Sequence, residues 1–425
     1  MADGRNLLVP FLLITTLFFL WGFAHSILDV LNKHFQDALG INKTKSALVQ
    51  AVVYSGYFLM ALPAGEIIRR FGYRVGVLTG LLLYGCGALL FIPGGEIKSF
   101  EFFLFSLFVI GCGLTCLETA ANPYVTVLGE KNSAERRINL AQSFNGLGWI
   151  CGPLVGGYFL FGNGTGGNIS MPYAIIGGVA LLVALLFSRV KLPEITPEVD
   201  STEKNADGET TIHKSLWKHK NFTYGLLALF LYIAAQTGIN SFFINYATEN
   251  ASISAQEASL WLSFVGMGLF TVGRMGGSWI MSKIRAEKVL IVCALGATLA
   301  MILAIFTSGM AGVSSFFLCF LCESIMFPTI FALSIRGLGE QTKRASSFLI
   351  MSIVGGAIAP VLMGYIADTV SMSWAFLIPL GCFLFILGFA LSFKKLLQFL
   401  KKGLLFFRRY GNIIKLISAK QNMDG

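Results

Sequence analysis

Cys116-Leu117-Glu118-Thr119-Ala120-Ala121-Asn122-Pro123 puts a carboxylate, an amide and a proline near the end of an apolar run that starts at about Phe102. An ionisable group inside a membrane span costs roughly 2.5 to 3.5 kcal/mol on insertion scales, so it is expected to face a cavity or a partner. Far downstream, Glu323-Ser324-Ile325-Met326-Phe327-Pro328 repeats the spacing from glutamate to proline. The match continues, because Pro153, Gly157 and Tyr158 are answered by Pro360, Gly364 and Tyr365. Laying the first apolar run on the seventh sets His25 over Gln236 and Asp29 over Asn240. The chain therefore reads as two related halves.

Composition says what the halves are made of. The 425 residues are 55% hydrophobic and 13% charged with a mean hydropathy of +0.72, and soluble domains carry about twice that charge. A spanning helix needs about 20 mostly apolar residues, and the chain supplies about twelve such runs, too long and continuous for barrel strands. The fold class is an all-α membrane protein, with twelve transmembrane helices in two six-helix pseudo-repeats. The spans fall at roughly 8–32, 46–68, 75–93, 101–123, 138–161 and 171–190, then at roughly 221–246, 257–281, 288–306, 312–337, 345–368 and 372–392. The first run is too long for the apolar region of a signal peptide and reads as a span.

The domains are thus an N-terminal bundle over 1–190, a linker over 191–220, a C-terminal bundle over 221–392 and a tail over 393–425. The linker is polar and charged and has no means of burying a core. The net charge of +10 does not point to nucleic acid, because the basic residues lie in particular loops and the tail. Arg69, Arg70 and Arg74 follow span two, Lys131, Arg136 and Arg137 follow span four, and Lys283, Arg285 and Lys288 follow span eight. Basic loops stay inside, so both termini and the linker are expected on the cytoplasmic face of a cell membrane. The outer loop with Lys33, Lys43 and Lys45 is the exception. The tail alternates basic pairs with apolar clusters, a pattern suited to a helix lying on anionic lipid. All eight cysteines sit in apolar runs, so neither a disulfide framework nor a metal site is expected, Cys319 and Cys322 included. The sequons at Asn163 and Asn168 lie in a short glycine-rich turn and read as chance matches.

Parallel six-helix repeats belong to transporters that bind substrate near the midplane and rock their halves for alternating access. Inside the spans, His25 and Asp29 share a helical face, as do Glu118 with Asn122 and Gln236 with Asn240, while Gln142 and Asn145 lie one turn apart. If spans one, four, seven and ten line the cavity, they gather Asp29, Glu118, Gln236, Asn240 and Glu323. Tyr54, Tyr57, Trp149 and Trp261 are available as aromatic surfaces. Carboxylates and amides with few cations suit a ligand with many hydroxyls, and an aromatic face covers the apolar side of a sugar ring. Arg274 is the exception, toward one end of span eight. Buried carboxylates also couple to protons, because desolvation favours the neutral acid.

The residues from Leu117 to Gly129, with Arg137-Ile138-Asn139-Leu140-Ala141-Gln142-Ser143-Phe144-Asn145, resemble the L-fucose permease branch of the major facilitator superfamily, the fucose, galactose and glucose proton symporters. Phe18-Phe19-Leu20-Trp21, Tyr57-Phe58 with Pro63-Ala64-Gly65, Phe327 to Phe331 and Ser346-Ser347-Phe348 carry the resemblance into both halves. It implies that Asp29 couples the proton, that Glu118 binds sugar and couples, and that Gln142 lies near the sugar. This chain departs from the branch pattern at His25-Ser26-Ile27-Leu28-Asp29 and in having an acid at Glu323. The sequence thus assigns substrate binding to Glu118, Gln142, Asn145, Gln236, Asn240, Glu323 and Asn122, and proton coupling to Asp29, Glu118 and His25. It implies a monomeric importer in a bacterial inner membrane with no cofactor, a small neutral sugar as partner and a proton as coupling ion. Sodium coupling, an N-acetylhexosamine substrate and a non-transporting sugar sensor stay open as alternatives. No nucleophile and base pair marks an enzyme.

Overall fold

A computed structural model describes residues 8–127, 134–162, 169–189, 216–336, 338 and 342–392. The linker over 191–215, the tail over 393–425, both sequons and the side chain of Asn122 lie outside the described residues. The first half contains α1 (Leu8–Leu39), the short α2 (Lys43–Ser46), α3 (Leu48–Leu89), α4 (Phe91–Ile97), α5 (Phe100–Val127), α6 (Ala134–Phe161) and α7 (Ser170–Arg189). The second contains α8 (Lys220–Ala251), α9 (Ala255–Trp261), α10 (Gly268–Lys283), α11 (Ala286–Phe306), α12 (Gly309–Glu323), α13 (Met326–Ile335), α14 (Thr342–Met351), α15 (Gly355–Thr369) and α16 (Met372–Ala375), with a last crossing over Met372–Ser392.

Among the described residues, eleven segments are long and apolar enough to cross a membrane, and one of them, Lys43–Ile97, is 55 residues long. At about 1.5 Å per residue it would be more than twice the roughly 30 Å of a bilayer core. It turns at Gly72, whose φ of 84° and ψ of 170° no helix has. Counting it as two crossings agrees with twelve.

Within the first half, α1 packs on α6 and α3 on α5. Without a hydrophobic drive between helices in lipid, close backbone approach sets such pairs, and glycine permits it. A Cβ on Gly148 would meet the Phe19 carbonyl at 2.3 Å, and one on Gly22 would meet the Asn145 carbonyl at 2.3 Å. In the second half α8 packs on α13 and α15, and α11 on α12. A π-helical turn, Leu262–Met267, joins α9 to α10 within one crossing.

The tenth span, read as one helix over 312–337, is instead two. It breaks after Glu323, and Ile325, with φ −106° and ψ −7°, leads into α13. Pro328 has no N–H to return to the Ser324 carbonyl. Arg274 Nε donates to that carbonyl at 3.4 Å, and the Tyr232 hydroxyl donates to the Glu323 carbonyl at 2.9 Å. These side chains occupy carbonyls that the missing helical bonds leave over.

The starts of α1 and α8 mark one end of the bundle, called the near end; the loop 40–47 and residues 252–254 mark the far end. Bonds between the halves gather toward the far end. Asn32 Nδ2 donates to the Ser241 carbonyl at 2.8 Å, and Asn245 Nδ2 to Gln36 Oε1 at 2.6 Å. Ser259 and Ser263 donate to the carbonyls of Pro153 and Ile150, each at 2.5 Å. The Asp368 carboxylate accepts from the backbone amides of Lys43 and Thr44 at 3.1 and 2.8 Å and from the Thr44 hydroxyl at 2.6 Å. The exceptional lysines of that loop are paired: Lys33 with Asp37 at 2.8 Å, Lys43 with Glu249 at 2.9 Å and Lys45 with Glu101 at 3.3 Å.

Candidate functional site

Glu118 lies half-buried on α5 at the wall of a small cleft, which it shares with Leu17, Phe18 and Trp21 of α1 and with Leu117 and Ala121, all of the first half. An anionic group and the indole of Trp21 thus border the same space.

Behind Trp21, His25 sits in a cage of rings and is 8% exposed. Its ring centroid is 5.9 Å from Tyr54, 5.4 Å from Tyr57 and 6.1 Å from Trp21, and it stacks on Trp149 at 6.1 Å with 13° between planes. His25 Nε2 is 2.9 Å from the Tyr57 hydroxyl, which also accepts from Trp21 Nε1 at 2.9 Å. One turn from His25 on α1, Asp29 is buried; Gln50 Nε2 donates to its Oδ1 at 3.0 Å, and its Oδ2 is without a partner. Tyr54 closes this group from the other half, where Thr237 donates to its hydroxyl at 3.2 Å.

His25 and Asp29 follow Trp21 along one side of α1, and Trp21 shares the cleft with Glu118. Gln142 on α6 and Gln236 on α8 are half-buried, consistent with a lining position. Asn145 is buried and its Nδ2 donates to the Phe18 carbonyl at 3.1 Å, which commits it to fixing α6 against α1. Asn240 is 3% exposed with Oδ1 unpartnered. Glu323 is closed off altogether at 0% exposure, with Oε1 3.7 Å from the Cys319 sulfur and Oε2 unpartnered. In this conformation it does not open to solvent as Glu118 does, and Trp261 packs on Phe317 at 5.9 Å. Sequence reasoning overlooked Gln50 and Thr237, and treated Tyr57 only as a surface. Gln50 could have been found as an amide in an apolar run; a tyrosine there carries no such signal.

Two six-helix halves, bonded together at one end and carrying buried carboxylates within their spans, define a membrane transporter of the alternating-access class. The comparisons make the class particular. The family model described as Major Facilitator Superfamily matches residues 12–353, and the chain belongs to that superfamily, a family of transporters rather than enzymes. It is 37% identical to the L-fucose-proton symporter of Escherichia coli strain K12 over 92% of this chain and 94% of that one. It is 33% identical to the glucose/galactose transporter of Brucella abortus biovar 1 over 90% of this chain and 93% of that one. The solved structure of a major facilitator transporter, FucP, in the outward conformation superposes with a TM-score of 0.67 at 36% identity, covering 91% of this chain and 99% of that one.

Proposed function

We propose that this protein imports a neutral hexose or deoxyhexose, of the fucose, galactose or glucose type, together with a proton. The observation that carries the reading is the wall of the cleft, where Glu118 offers acceptors for sugar hydroxyls beside the apolar face of Trp21. Gln142, Gln236 and Asn240 extend the polar lining, Asn145 holds its frame, and Glu323 joins the site when the halves rearrange. Asp29 and Glu118 hold the coupling proton, with His25 between them. The names of the relatives support sugar and proton alike.

By its basic loops the near end is cytoplasmic, which puts both termini inside a bacterial inner membrane. The far end, bonded shut, then faces outward. The protein works as a monomer, with its basic tail against anionic lipid.

Proteoliposomes loaded at high pH and diluted to low pH test the reading with labelled L-fucose, D-galactose and D-glucose. Uptake of at least one sugar is expected to rise with the inward proton gradient and to collapse with a protonophore. Uptake that follows sodium and ignores the pH gradient overturns the coupling ion, and binding without counterflow makes the protein a sensor.

A further inference from the structure

We propose that Gln50 is the positioning residue of the coupling acid Asp29, and that Tyr54, one turn along α3, ties that position to the second half through Thr237. The inference rests on the proton-coupled reading above and adds to it the side chains that let the acid follow the movement of the halves. Gln50 is 2% exposed, and its Nε2 donates to Asp29 Oδ1 at 3.0 Å. That bond occupies one oxygen of the carboxyl. Oδ2, without a partner among the described residues, is left as the oxygen that takes and gives the proton. Release of the proton leaves a carboxylate, which the Gln50 N–H stabilises through a charge-assisted bond.

Tyr54 follows Gln50 by four residues, so the two share a face of α3. Tyr54 reaches into the other half, where Thr237 Oγ1 of α8 donates to its hydroxyl at 3.2 Å. Gly356 of α15 makes the room, because a Cβ there would come within 2.7 Å of the Tyr54 ring and 2.8 Å of the Thr237 hydroxyl oxygen. On α1, Asn32 lies one turn beyond Asp29 and donates to the carbonyl of Ser241, which stands one turn from Thr237 on α8. Each of the two helices that hold Asp29 therefore makes a bond to α8 within one turn of the residue that holds it. Asp29 itself is 3% exposed. Withdrawal of α8 and α15 with the second half breaks both bonds and uncovers the face of α3 on which Gln50 stands. Whether the acid is sealed or wetted thus follows the second half, while Gln50 keeps its carboxyl in one orientation.

The test separates coupling from binding, because uptake driven by a pH gradient requires Asp29 to lose its proton in every cycle and counterflow of labelled sugar does not. Gln50→Met keeps the length of the side chain and deletes the donor. Loss of a hydrogen bond to a charged group is expected to lower driven uptake in proteoliposomes about tenfold, while counterflow falls less than about threefold and the KM for sugar holds. Thr237→Val, nearly isosteric, removes the donor to Tyr54 and is expected to give the same split with a smaller fall, and Thr237→Ser, which restores the hydroxyl, should recover driven uptake. The proposal is overturned if Gln50→Met keeps its driven uptake, if either variant loses counterflow in step with driven uptake, as a purely structural role predicts, or if Thr237→Ser behaves as Thr237→Val. Wild-type protein indifferent to the pH gradient would instead sink the coupling reading itself.

Discussion

Asp29 and Glu118 are both carboxylates in apolar helices, yet their surroundings divide the work between them. Asp29 is buried with one oxygen held by Gln50; Glu118 borders the cleft. Asp29→Asn preserves the bond from Gln50, because an amide oxygen accepts as a carboxylate does. Its expected defect is loss of uphill accumulation to simple equilibration, with counterflow continuing; undiminished accumulation in the purified variant would remove Asp29 from coupling. Glu118→Ala removes hydrogen bonds to a charged group, worth about 1.5–3 kcal/mol, so sugar affinity should fall roughly ten- to hundredfold. Calorimetric titration with wild-type affinity for every sugar tried would exclude Glu118 from the site. These two residues, and His25, were legible in the sequence because charge in an apolar run is costly. Tyr57 was not, since a tyrosine there is ordinary packing until its hydroxyl is seen to meet both Trp21 and His25.

At the scale of the helix, run length and the glutamate-to-proline spacing exposed the duplicated halves, but the spacing hid a difference. The helix around Glu118 continues to Val127 past Pro123, whereas the one around Glu323 stops. Proline removes the same donor from both, and what differs is tertiary: Tyr232 and Arg274 stand ready to bond the carbonyls that the break exposes. Such partners come from other helices and leave no local trace in sequence. The glycines are similar, many in the sequence but few of them contacts. Gly148→Val should force α1 and α6 apart, since its first side-chain carbon already overlaps the Phe19 carbonyl, at a cost of about 1–3 kcal/mol. Gly178→Ala, at a position with nothing within 4 Å, should leave stability level or raise it by about 0.5–1 kcal/mol. Thermal unfolding in detergent checks the pair, and equal losses would mean that close approach is not what Gly148 supplies.

For the molecule as a whole, transport requires the far-end bonds to break and re-form, so they must be sufficient to close that end without being permanent. The Asp368 carboxylate, bonded to the Lys43 and Thr44 amides and the Thr44 hydroxyl, is the most concentrated of these contacts, and Lys43 is also paired with Glu249. It joins α15 of one half to the α2 loop of the other. A ligand or mutation shifts a two-state balance only by what it changes in one state relative to the other. Asp368→Asn weakens only the closed far end, so it should raise the far-end-open population, while a permanent bond at the same place should abolish it. With the eight native cysteines replaced, Thr44→Cys with Asp368→Cys, joined by a short bifunctional thiol reagent, is therefore expected to stop transport until the link is cleaved. Asp368→Asn alone should speed amide hydrogen exchange at Lys43 and Thr44, whose N–H groups the carboxylate holds at the closed end. Transport that survives a complete cross-link would mean that the far end need not open, and the rocking of the halves would not be the mechanism.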